Sequence, residues 1–112
     1  MGSREYLGEF ELIVLVALAR LPGNAYGAEI HREILETTGR DVSIPAVYVT
    51  LKRMERKGLV ISAVGDASGG RRRPTRNYEL TPDGEAAIDR SRLLFERLWS
   101  GVSPRLAEGG GS

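Results

Sequence analysis

The chain has 112 residues, enough for one small domain with a single modest core. It contains no cysteine and one histidine, which excludes disulfides, cysteine nucleophiles and thiolate metal sites and leaves a Ser-His-Asp triad or a transition-metal sensor with too few parts. The net charge is only +1, yet residues 43–80 hold eight Lys and Arg against three acids while the rest of the chain holds eight against twelve, so positive charge gathers in one third of the sequence.

Residues 1–5 and 104–112 read as flexible ends, the last five having no apolar side chain to anchor them. Residues 6–20 carry a helical pattern that Pro22-Gly23 ends, and from position 12 to 19 it is apolar on nearly every face. That run is too short to span a bilayer, so a cytoplasmic protein with no membrane contact is expected. In so small a domain, a helix apolar all round turns one side to the core and the other, with Leu12 and Val16, to a second subunit. Asn24 is the expected N-cap of a second helix, with Tyr26, Ile30, Ile34 and Thr37 on its inner stripe and Gly39 as its stop. The outer face of Glu29, Arg32, Glu33 and Glu36 is acidic, so this helix supports its neighbour and does not lie on phosphates. Gly27 permits close helix approach, and His31 is a boundary residue with no ligand role.

The third helix, residues 44–57, is the element around which the chain is organised. Ser43 is its N-cap, Pro45 fits its first turn, and Lys57-Gly58 supplies a basic last turn and a stop. At about 100° per residue, Ile44, Val47, Leu51 and Met54 share a core stripe, while Ala46, Val49, Arg53 and Arg56 face away with Lys52 beside them. Small residues near the N-terminus and long cations beyond suit a helix whose first turns enter a DNA groove while later residues reach phosphates. Tyr48 and Thr50 sit on the flanks.

Residues 59–64 are short and β-branched, residues 65–70 are turn-rich, and residues 76–80 alternate in a strand-like way, predicting a hairpin with Arg71, Arg72, Arg73 and Arg76 at or near its tip. Clustered arginines repel one another unless backbone phosphates or a narrow minor groove relieve the repulsion. Thr81 then caps a last helix with Pro82 in its first position and Asp83 and Glu85 at the positive end of its dipole. Ile88, Ser91, Leu94, Phe95, Leu98, Trp99 and Val102 form an apolar seam wider than one small core needs, which predicts a dimerisation helix.

The fold class is therefore mainly α with a small β-hairpin: a winged helix-turn-helix at residues 6–80 followed by a dimerisation helix at 81–103. The expected activity is binding of double-stranded DNA, with no cofactor and no enzyme chemistry, since no nucleophile-base pair, phosphate loop or metal cluster is present. The alternative is a winged helix whose basic face docks an acidic protein.

The order and spacing of Leu7-Gly8-Glu9-Phe10-Glu11-Leu12, Tyr26-Gly27, Ala46-Val47-Tyr48-Val49-Thr50-Leu51-Lys52-Arg53-Met54-Glu55, Lys57-Gly58-Leu59, Arg71-Arg72-Arg73 and Tyr78-Glu79-Leu80-Thr81-Pro82-Asp83-Gly84 resemble the PadR-like transcriptional regulators of bacteria. The resemblance implies a homodimer on a two-fold symmetric operator, usually as a repressor. It implies DNA contacts by Tyr48 and by the arginines before Tyr78. Some members of that family bind flat aromatic effectors near the dimer interface, and Phe95 and Trp99 are the aromatic residues best placed to line such a site. Ile44-Pro45 before Ala46 departs from the common pattern.

Overall fold

The computed structural model describes residues 6–65 and 75–102. In chain order the elements are α1 (Glu9–Arg20), β1 (Ala25–Tyr26), α2 (Gly27–Thr38), α3 (Ile44–Arg56), β2 (Val60–Val64), β3 (Arg76–Leu80) and α4 (Pro82–Trp99). The hairpin β2–β3 pairs Val60 with Leu80 through Val64 with Arg76, and β1 adds to the other edge of β3, giving an antiparallel sheet of order β1-β3-β2.

The local start and stop signals account for most boundaries. The Ser43 hydroxyl accepts the Ala46 N–H at 3.1 Å, and the Thr81 hydroxyl accepts the Gly84 N–H at 3.0 Å. Gly39 and Gly58, with φ of 77° and 79°, follow α2 and α3 in the left-handed conformation that glycine adopts without strain. α1 begins at Glu9, later than its apolar pattern suggests, because Glu11 Oε1 accepts the Gly8 N–H at 2.9 Å and fixes the first turn there.

The second helix starts differently from the sequence reading. Asn24 is not its cap: Ala25 and Tyr26 are extended and pair with Tyr78 and Asn77, so the helix begins at Gly27, with Glu29 Oε1 accepting the Tyr26 N–H at 2.7 Å. Tyr26 thus belongs to the sheet, and Thr37 is exposed. His31 Nε2 lies 2.7 Å from the Val42 carbonyl, to which it donates, tying α2 to the loop before α3.

The core gathers Val14, Leu15 and Leu18 of α1, Ile30 and Ile34 of α2, Val47, Leu51 and Met54 of α3, and Val60 and Tyr78 of the sheet. Ile44, placed on the core stripe by periodicity, is 44% exposed, because the first residue of α3 lies beyond the edge of a core that begins at Val47. Thr50 is buried. At the end of α3 the chain turns tightly into β2, and Gly84 of α4 packs against the Leu59 carbonyl so closely that a Cβ there would overlap it.

Candidate nucleic-acid interface

α3 presents to solvent the face opposite its core stripe. Val49 is 60% exposed, and Lys52 and Arg56 are exposed with no charged partner among the described residues. Ser43 is exposed at the helix start, its hydroxyl committed to the cap, and Ala46 is half-buried.

Tyr48 is held from behind. Its ring rests on the bare Cα of Gly27, where a Cβ would overlap the ring, so α2 and α3 approach at this point as only glycine allows. The same ring lines a cleft of about 420 Å³ between α3 and the sheet, together with Lys52, Glu55, Arg76 and Tyr78. Across this cleft Glu55 Oε2 accepts the Ser62 hydroxyl at 2.7 Å, and Arg76 Nη1 donates to the Ser62 oxygen at 3.0 Å. The chain α3–β2–β3 is thereby joined by polar contacts, so helix and hairpin form one surface. Burial pushes the Tyr78 phenol above its ordinary range, and the nearby Tyr48 and Glu55 add to this against the opposing Arg76, so Tyr78 stays neutral.

Arg53 differs from its neighbours. Its Nε donates to Glu11 Oε2 at 3.2 Å and its Nη2 approaches Thr50 Oγ1 at 3.5 Å, while Lys57 Nζ lies 3.8 Å from the same Glu11 oxygen. Periodicity found Arg53 on the outer face but could not find Glu11 beneath it. Arg71, Arg72 and Arg73 lie outside the described residues. The structure therefore brings Tyr48, Lys52 and Arg76 together at one cleft, with Val49 and Arg56 alongside.

A second surface lies on α4. Its first half faces α1 and β3, with Ile88 packed against the core. Ser91, expected in a subunit seam, is 3% exposed within the single chain, because it lies in this inward-facing half. Beyond it Leu93, Phe95, Leu98 and Trp99 are exposed, the last two at 62% each, and Leu94 and Val102 are half-buried. On α1, Val16 is exposed and Leu12 half-buried beside an apolar groove of about 220 Å³ that also runs along Ile13, Ala17 and Ile34. Phe95 and Trp99 project outward, whereas this groove and another of about 580 Å³ between α1, β3 and α4 are lined by other residues. None of the described helices is long and apolar enough to cross a membrane.

The sequence profile of the PadR-like family of transcriptional regulators matches residues 14–90. Among solved structures, a PadR-family transcriptional regulator from Eggerthella lenta is 25% identical, covering 88% of this chain and 86% of that one with a TM-score of 0.68. F93 from STIV, a winged-helix DNA-binding protein, shares the fold at 14% identity, covering 88% of this chain and all of the other with a TM-score of 0.71. BpsR of Bordetella bronchiseptica, whose DNA binding is regulated by 6-hydroxynicotinic acid, shares it at 20% identity, with 95% and 76% covered and a TM-score of 0.62. No protein of curated function matches the sequence. The profile spans the three-helix core from the middle of α1 onward, the hairpin and the first half of α4 around the cationic surface described above, and the chain belongs to the PadR-like family of transcriptional regulators.

Proposed function

We propose that two copies of this chain pair into a homodimer that binds a two-fold symmetric operator in a sequence-specific manner and represses transcription from it. Residues 6–80 are the DNA-binding part and residues 81–103 the dimerisation part. The observation that carries the reading is the division of the outer surface: exposed Lys52 and Arg56 on α3, exposed Phe95, Leu98 and Trp99 on α4. The first suits phosphates and the second suits another apolar surface.

In this reading the N-terminal turns of α3, with Ser43, Ala46, Tyr48 and Val49, enter the major groove, Lys52 and Arg56 reach phosphates or guanines, and Arg76 with Arg71, Arg72 and Arg73 grips the flanking backbone. Pairing through Leu94, Phe95, Leu98, Trp99 and Val102, with Leu12 and Val16 of α1 at the margin, sets two copies of α3 about 34 Å apart, one turn of duplex. A flat aromatic effector binds near Phe95 and Trp99; the regulation of BpsR by a hydroxylated pyridine carboxylate supports that class of ligand.

Fluorescence anisotropy on the upstream duplex of the chain's own gene and on a scrambled duplex, at several salt concentrations, tests the reading. Tight, salt-sensitive binding that prefers the upstream duplex is expected. Equal weak binding to both would oppose autoregulation, and absence of binding to any duplex would favour an acidic protein as the partner of the basic face. Trp99 is the sole tryptophan, so its fluorescence reports directly on ligands at the α4 surface.

A further inference from the structure

We infer that Glu11 is a specificity-determining residue: its carboxylate stands in for a phosphate against Arg53, and so withholds one cation of the recognition helix from DNA that does not fit closely. The inference rests on the DNA-binding reading above and concerns the same surface.

The backbone places Arg53 at the edge of the outer face. Around the axis of α3 it stands about 40° from the exposed Val49 and about 60° from both the exposed Arg56 and the buried Thr50. Yet its guanidinium is drawn back onto Glu11 Oε2 at 3.2 Å. The Glu11 side chain is only 16% exposed and that of Arg53 43%, so water and salt screen this pair somewhat less than one with both ends open. The carboxylate is also held in place, because its other oxygen accepts the Gly8 N–H at 2.9 Å and completes the first turn of α1. Glu11 cannot swing away from Arg53 without uncapping that helix.

A phosphate that takes Arg53 must therefore leave a poorly solvated carboxylate with only Lys57, at the longer distance of 3.8 Å, to balance it. Loose, sequence-independent contacts do not compensate for that loss, and Lys52, Arg56 and the arginines of the hairpin serve them without Arg53. A duplex seated deeply against α3 brings several phosphates and base edges at once, and only there is Arg53 recruited. The arrangement lowers affinity for mismatched DNA more than for the operator, which is a gain in specificity.

Glu11→Gln tests this, since the amide oxygen still accepts the Gly8 N–H while the negative charge is gone. The probe is a random-sequence duplex, followed by fluorescence anisotropy over a salt series. Glu11→Gln is expected to bind it about fivefold tighter near 0.1 M salt, with the slope of log affinity against log salt steeper by about 0.9, the value for one added phosphate contact. Glu36→Gln, the same charge change at an exposed position of α2, should leave the slope as in the wild type. Arg53→Ala in the wild-type background should also leave it unchanged, and in the Glu11→Gln background should abolish the gain. A wild-type slope in a folded Glu11→Gln protein, checked by thermal melting, would overturn the inference. So would a slope lowered by Arg53→Ala alone, a test that stands even if Glu11→Gln fails to fold. Failure of the wild type to bind any duplex removes the DNA-binding reading itself, and is a different result from a flat comparison between two proteins that bind.

Discussion

α3 and α4 begin alike and end differently. Each opens with a hydroxyl cap and a proline in its first turn, Ser43 with Pro45 and Thr81 with Pro82. α3 then buries Val47, Thr50, Leu51 and Met54 along its length, leaving outside a face on which Lys52 and Arg56 stand beside the exposed Val49. α4 buries Gly84, Ala87 and Ser91, after which its apolar residues have no core to enter, and Leu93, Phe95, Leu98 and Trp99 stand in solvent. Capping residues fix where a helix starts, whereas its destination depends on how much apolar surface the rest of the chain offers. One helix packs most of its apolar residues within the chain, and the other leaves half of its own in solvent.

The sharpest way to break this contrast is to truncate one leucine from each helix. Leu51→Ala should destabilise the fold by about 2–5 kcal/mol in urea unfolding, because a fully buried side chain leaves a cavity. Leu98→Ala, measured at dilutions where the chain is monomeric, should change stability by less than about 0.5 kcal/mol while weakening self-association in sedimentation. Equal losses would mean that α4 completes the core of a single chain.

A subtler change tests the fixed placement of α3. Gly27→Ala sets a methyl group into the Tyr48 ring and should cost about 1–3 kcal/mol, most of it recovered in a Gly27→Ala, Tyr48→Ala double variant, as thermal melts of the four proteins would read out. Lys52→Ala and Arg56→Ala should each flatten the salt dependence of duplex binding by about 0.9, whereas Leu98→Ala under conditions that keep the dimer should not alter it. Removing the caps compares the helix starts directly. Ser43→Ala and Thr81→Ala should each cost about 1 kcal/mol, Thr81→Ala the more because its hydroxyl also donates to the Gly58 carbonyl at 2.7 Å.

The smallest effect concerns pH. The Tyr78 phenol is raised above its ordinary value of 10.0 in the folded chain, so the unfolded chain loses that proton first. Stability should fall as the pH rises through the unfolded value, and Tyr78→Phe should remove this part of the alkaline loss in melts taken across that range.

What could be read from the sequence was what is local or periodic. Ser43 and Thr81 act within three residues of themselves, and the spacing of Val47, Leu51 and Met54 repeats on one helix. β1 could not be read this way, because two residues carry no period and Ala25 finds its partner only at Tyr78. Gly27 was legible as a point of close approach, though only the packed structure supplies Tyr48 as the neighbour. At the interface, angular position found Lys52, Arg53 and Arg56 together. A long side chain can nevertheless turn away from the direction its Cα sets, and Arg53 does so toward an acid 42 residues earlier. The apolar seam of α4 was legible as an excess, except at Ile88 and Ser91, expected in the seam but lying in the inward half of the helix, Ile88 against the chain's own core.

The junction around Thr81 joins α3 to α4. Its hydroxyl reaches both the Gly58 carbonyl and the Gly84 N–H, its own N–H donates to the Leu59 carbonyl at 3.1 Å, and Gly84 packs against that same carbonyl. The end of α3 and the start of α4 are thus fastened within a few bonds of each other, like the pivot of a pair of calipers. In the proposed dimer held by α4, the gap between the two copies of α3 would be set at this pivot. A ligand that changed the angle between the paired α4 helices by a few degrees would move the two copies of α3 out of step with the turn of the duplex without touching either of them.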